Sequence, residues 1–114
     1  MPREFESFLA DMRDRAEWIV RTTADRSKQD LLDDRTLYDT VVRSFEIIGE
    51  AAKHIPNEYR REHPEIDWEG FARFRDVIAH SYFKLNPDIV WTAVVDDVRR
   101  LAKQLSRLLP PGEQ

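Results

Sequence analysis

With 114 residues the chain has room for one domain and one core. Its 18 basic and 22 acidic side chains give a net charge of −4, which argues against broad coating of nucleic acid and requires any RNA or DNA site to be local. Cysteine is absent, which excludes disulfides, thiolate zinc sites and thiol nucleophiles, and the 35% charged and 41% hydrophobic residues with 3 Gly and 6 Pro suit a helical globular domain.

The first element is a helix from Phe5, with an apolar stripe at Phe8, Leu9, Met12, Ala16, Ile19 and Val20, ending near Thr22 or Thr23. Polar residues follow from Ala24 to Asp34, where Ser27 and Asp30 have the spacing of a capping box and predict one short helical turn. A second stripe, Tyr38, Val41, Val42, Phe45, Ile48, Ala52 and Ile55, runs from an Asp34 cap to the stop at Pro56. Gly49 falls on its buried side. Glycine inside a helix costs about 1 kcal/mol relative to alanine, and the usual reason for one is close approach of a neighbouring helix.

Asn57 to His63 form a short helix closed by Pro64, and Asp67 caps a helix carrying Trp68, Phe71, Ala72, Phe74, Ile78 and Ala79. Asn86 followed by Pro87 starts the last helix, which shows Val90, Val94, Val98, Leu101, Leu105 and Leu108 and stops at Pro110-Pro111-Gly112. No alternating strand pattern occurs. The expectation is an all-α, up-and-down bundle of four to five helices, a single domain over residues 1–114 with 110–114 as a flexible tail. Met1 to Ala10 carries Arg3, Glu4 and Glu6 where a leader needs an apolar stretch, so no membrane span and a cytoplasmic location are expected.

The densest chemistry lies in Arg73-Phe74-Arg75-Asp76-Val77-Ile78-Ala79-His80-Ser81-Tyr82. Arg75 and Tyr82, seven apart, share a helix face, whereas His80 lies about 140° round from Arg75. One straight helix does not focus all three. They converge if the helix ends or loosens near His80, or if a second subunit supplies the complementary residues. The turn at Lys84 to Asn86 places His80 in the last helical turn, where the dipole favours imidazolium and keeps the ring titratable near neutral pH.

Elsewhere, Asp39 and Arg43 have the spacing of a helix-surface ion pair, with Arg43 near a phosphate-binding cleft as the sharper alternative. Glu46, Glu50 and His54 step by four, but the Glu-x-x-His pairs of di-metal bundles are missing, which leaves structural or dimer-facing roles. His63 before Pro64 reads as a solvated loop residue. Trp68 and Trp91 sit at core spacing. Arg99, Arg100, Lys103 and Arg107 have no acid among them, so residues 99–107 are either a solvated face or a strip that tracks phosphates.

Arg75-x4-His80-x-Tyr82 matches the Arg-x(4–6)-His-x-Tyr signature of HEPN-domain toxins, and the whole chain resembles their HepT branch. Arg43-Ser44-Phe45-Glu46-Ile47-Ile48-Gly49-Glu50-Ala51-Ala52-Lys53 resembles that family's second-helix block. His63-Pro64-Glu65-Ile66-Asp67-Trp68 is similar to its connector, and Asn86 to Trp91 to the start of its last helix. The resemblance spans residues 5 to 109. It implies a HEPN-like bundle that dimerises and acts as a metal-independent endoribonuclease toxin on tRNA or mRNA, with no cofactor. His80 is then the general base or acid and Arg75 the phosphate-holding cation, the two motifs facing each other across the homodimer. It further implies an MntA-type nucleotidyltransferase antitoxin that adenylylates Tyr82. Beside these, Arg43, Asp76 and Lys84, with Arg99, Arg100 and Lys103 of the basic run, are the candidate RNA or phosphate contacts. One departure is Asp76, where many relatives have Asn; an acid there pairs with Arg75 or His80, or weakens phosphate binding. The rival reading is a non-catalytic helical dimer that binds a nucleotidyltransferase and presents a nucleotide or polypeptide to it.

Overall fold

The computed structural model describes residues 4–109, so the expected tail at 110–114 lies outside it. Seven helical segments follow in order: α1 (Phe5–Thr23), α2 (Lys28–Asp33), α3 (Arg35–Lys53), α4 (Asn57–Glu62), α5 (Trp68–Ser81), α6 (Pro87–Thr92) and α7 (Val98–Leu108). A 3₁₀ turn over Tyr82–Lys84 follows α5, and a π-helical turn over Ala93–Asp97 joins α6 to α7 into one continuous rod. Four long rods (α1, α3, α5 and the α6–α7 rod) make the bundle, with α2 and α4 as short connectors. No strand occurs among the described residues.

The caps explain the boundaries. Ser27 and Asp30 bond each other's backbone N–H reciprocally and start α2, and Asp34 Oδ1 accepts from Leu37 N at 3.1 Å to start α3. Asp67 Oδ1 accepts from Gly70 N at 3.0 Å, and Asn86 Oδ1 from Asp88 N at 2.8 Å with Pro87 in the first helical position. Past the other end of α3, Arg60 donates to the carbonyls of Ile55 and Ala52 at 2.9 and 2.7 Å, adding to the bond that Ala52 accepts from Ile55 N.

Burial follows the stripes. Leu9, Met12, Ala16 and Ile19 of α1 meet Val41, Phe45, Ile48 and Ala52 of α3, and Ile78 of α5 and Val90, Val94, Val98, Leu101 and Leu105 of the last rod close the core. Val90, Val94 and Val98 are four apart twice over, which on an α-helix rotates the stripe by about 40° at each step. All three are fully buried, with the π turn beginning between Val90 and Val94. Trp68 is buried and donates from Nε1 to the His63 carbonyl at 3.0 Å, and Trp91 packs half-buried against the core, so both tryptophans are packing residues. His63 lies outside α4 as a loop residue, but its ring is half-buried rather than solvated, 4.5 Å from the ring of Tyr59 and 3.5 Å from Glu65 Oε2.

Candidate functional site

The candidate site is set by how closely α3 and α5 approach. A Cβ on Gly49 would collide with the Cβ of Arg75 and lie 2.5 Å from the carbonyl oxygen of Phe71. Glycine at 49 is therefore what lets α5 lie against α3 at the level of Arg75, the reason its position in the stripe called for. The Arg75 side chain turns along that seam. Its Nε lies 3.3 Å from Glu50 Oε2 and its Nη1 3.4 Å from Asp76 Oδ1, with about a third of the side chain exposed. Arg75 and Arg43 line one groove of about 160 Å³ together with Glu46, Glu50 and Ile47. The fold thus brings together two of the expected phosphate contacts and places carboxylates beside them.

Arg43 pairs with Glu46 at 3.9 Å, and Asp39 with Arg35 at 3.4 Å; the expected Asp39–Arg43 pair does not form. Each partner finds a competing opposite charge on the same exposed face of α3, and such half-exposed pairs contribute little, on the order of 1 kcal/mol or less. Glu50 serves both Arg75 and His54, the latter at 3.7 Å, and His54 stacks on Phe8 at 4.4 Å. The Glu46, Glu50 and His54 series is accordingly occupied with ion pairs and ring stacking.

Asp76 receives Lys53 Nζ at 2.6 Å as well as Arg75. The hydrogen bond from Lys53 first, then the charges of Lys53 and Arg75, hold its carboxyl below the usual range, against a small opposing effect of burial. Its backbone matters too: His80 Nδ1 lies 2.8 Å from the Asp76 carbonyl oxygen. A carbonyl only accepts, so Nδ1 carries the proton and the neutral ring keeps its basic lone pair on Nε2. His80 is exposed, in the last turn of α5, on the same outward face as Arg73 and Val77.

At Ser81 the backbone leaves the helix (φ −136, ψ 26) and the 3₁₀ turn begins, so the expected loosening falls immediately after His80. The turn carries Tyr82 back toward α3, where its Oη donates to Asp39 Oδ1 at 2.6 Å. That hydrogen bond is the largest cause of a raised phenol pKa, with burial and the Asp39 charge adding to it. Phe83 next to it is 96% exposed, and Lys84 is also exposed.

The three motif residues do not converge within one chain. Arg75 lies with Glu50, His80 with the Asp76 carbonyl, and Tyr82 with Asp39. Nor does the basic run form a clear strip: Arg99 is half-buried with an unpartnered Nε, and Arg100 pairs with Asp96 at 2.5 Å and Asp97 at 3.8 Å. Those acids precede the run by one turn, outside the window in which no acid occurs. Lys103 and Arg107 remain exposed.

Sequence reasoning missed the partners on α3. Asp39, Glu46 and Lys53 are spaced by seven, with Glu50 four beyond Glu46, so all lie on one flank of the helix. That spacing could have marked the flank that meets the motif helix.

A model of the HepT-like family, described as Ribonuclease HepT-like, matches residues 12–108. A Thermococcus cleftensis protein named "Probable ribonuclease HepT" is 37% identical over 108 residues, covering 95% of this chain and 98% of its own. Two more with provisional RNase names are each 33% identical: one from Methanocaldococcus jannaschii, over 96% of this chain and 91% of its own, and one from Caldanaerobacter subterraneus, over 90% and 91%. No solved structure matches the chain. Among the described residues no helix is long and apolar enough to cross a membrane. With a family match over most of its length, an all-α bundle, and an Arg-His-Tyr motif at the end of α5, the chain belongs to the HepT-like ribonuclease family.

Proposed function

We propose that this chain is the toxin of a toxin–antitoxin pair, an endoribonuclease that cleaves tRNA or mRNA without a metal ion, and that it works as a homodimer. The observation that carries the proposal is the state of His80: an exposed imidazole whose Nδ1 is fixed on the Asp76 carbonyl and whose Nε2 is the basic nitrogen. In the reaction, Nε2 of one His80 takes the proton of an RNA 2′-hydroxyl. The 2′-oxygen attacks the adjacent phosphorus, and the Arg75 fork neutralises charge as the phosphorane forms. The 5′-oxygen leaves with the proton that His80 has taken up, and a 2′,3′-cyclic phosphate remains. Arg43, which lines the groove with Arg75, holds a neighbouring phosphate, with Lys84, Lys103, Arg99 and Arg100 as outer contacts. Asp76 acts as the anchor that orders Arg75 and His80.

Arg75 turns along the seam toward Glu50 whereas the His80 ring faces outward, and that divergence supports a site completed by a second copy. Exposed Val77, one turn before His80, and Phe83, just beyond the motif, are apolar surface that a partner subunit would cover. We further propose that a nucleotidyltransferase antitoxin of the MntA type adenylylates Tyr82, adding bulk and negative charge beside the RNA path.

The test is incubation of the purified chain with tRNA and mRNA in EDTA, followed by analysis of the product ends. Cleavage with 2′,3′-cyclic phosphate ends, lost in His80→Ala and Arg75→Ala, is the expected result. An inert wild-type chain overturns the proposal and returns the chain to the role of a non-catalytic partner of the transferase, whereas cleavage that both variants retain overturns the roles of Arg75 and His80.

A further inference from the structure

Tyr82 forms one wall of a groove of about 230 Å³ that also includes Arg35, Tyr38, Phe83 and Leu85. Two contacts link its polar groups in series. Arg35 Nε lies 3.4 Å from Asp39 Oδ1, and the same oxygen accepts the Tyr82 hydroxyl at 2.6 Å. Asp39 is less than half exposed and Arg35 nearly three-quarters exposed, so the phenol oxygen stands between a carboxylate and an open groove with a cation on its wall. A phenol of ordinary pKa near 10 is a weak nucleophile at neutral pH unless a base takes its proton as the new bond forms.

We propose that Asp39 is the proton acceptor for nucleotidyl transfer to Tyr82. The inference rests on the proposed adenylylation of Tyr82 and adds the residue within this chain that activates it. Tyr82 Oη attacks the α-phosphorus of a nucleoside triphosphate presented by the transferase. The Oη–Pα bond forms, the Pα–O bond to the β-phosphate breaks, pyrophosphate leaves, and the phenolic proton passes to Asp39 Oδ1. Asp39 then loses that proton to water. Arg35 supplies the positive charge of the groove as the tyrosine gains a phosphodiester.

A plain structural tether between α3 and the 3₁₀ turn is separable from this role, because asparagine at 39 still accepts a hydrogen bond from the phenol but takes no proton. The experiment follows addition of AMP by intact mass after incubation of the chain with the nucleotidyltransferase, ATP and Mg²⁺. Wild type, Asp39→Asn, Asp39→Glu and Tyr82→Phe are compared, with thermal melts to confirm folding. Tyr82→Phe is expected to take no AMP, Asp39→Asn to react about a hundredfold more slowly than wild type, and Asp39→Glu to recover part of the rate. Modification of Asp39→Asn at the wild-type rate overturns the inference.

A second arm needs no transferase: acetylation of Tyr82 by N-acetylimidazole, followed by peptide mass spectrometry. If wild type takes no AMP, the adenylylation reading fails by itself, and this arm decides on Asp39. Faster acetylation in wild type than in Asp39→Asn supports Asp39 as proton acceptor, and equal rates overturn it.

Discussion

Gly49 and Arg75 are in such close apposition that a single methyl group on the glycine would occupy the space of the arginine Cβ. The position of the motif helix thus depends on a residue of α3 with no chemistry of its own. Gly49→Ala gains helix propensity, but it must push α5 away at Arg75 or strain the backbone at Phe71. The expected net effect is a loss of about 1–3 kcal/mol in denaturant unfolding, with RNA cleavage falling further than the folded fraction does. Full activity at unchanged stability would show that the helices separate there at no cost.

His80 presents the opposite case. It is exposed and its ring makes one hydrogen bond, to a carbonyl one turn back. His80→Ala is expected to leave the melting temperature within about 2 °C and to lower the cleavage rate by about 10²–10⁴-fold, the usual worth of a general acid or base. Circular dichroism melts paired with single-turnover cleavage measure both. Arg75→Lys is expected to keep less than a tenth of the activity, because an ammonium cannot reproduce the planar fork.

Asp76 gives a pH signature of stability. Its pairing with Lys53 and Arg75 lowers its pKa in the folded chain, so the contribution is fully present above the usual aspartate value and is lost as pH falls through the depressed one. Wild type is expected to melt above Asp76→Asn at pH 7, with the gap closing below about pH 4. A gap that persists unchanged into strong acid would mean that the carboxylate charge is not what stabilises the seam.

Asp97 carries the reverse sign. Burial first, then the neighbouring Asp96, raises its pKa against the opposing pull of Arg100. An acid with a raised folded pKa disfavours the folded state as pH climbs through the interval between its ordinary and raised values. Asp97→Asn is expected to raise the melting temperature at pH 7 and leave it unchanged at pH 3, as scanning calorimetry would show.

Much of the fold could be read from local rules. The caps at Ser27, Asp34, Asp67 and Asn86, the apolar stripes and the reason for Gly49 all involve neighbours within a few residues or a small residue facing a helix. The partners of the motif were less legible. Arg75 with Glu50 joins α3 to α5, and Tyr82 with Asp39 joins α3 to the 3₁₀ turn after it; their register depends on how two helices slide along each other. A surface acid such as Asp39 has several cations within reach, so spacing alone favoured Arg43 where the fold chose Arg35 and Tyr82. The π turn had no signal in the spacing, since successive steps of four such as Val41, Phe45 and Gly49 are also buried on the unbroken α3. The half-burial of the His63 ring against Tyr59 has no signal in a loop sequence before Pro64.

The central claim is that Arg75 and His80 act together only across two copies of the chain. Arg75→Ala and His80→Ala proteins, each inactive alone, can be mixed under conditions that let subunits exchange, and cleavage of a labelled RNA in EDTA then measured. If each site draws its arginine from one chain and its histidine from the other, random exchange makes half of the dimers mixed, each with one intact site. Activity should then return to about a quarter of the wild-type level. Activity in the mixture no higher than the sum of the two variants measured separately would contradict the account.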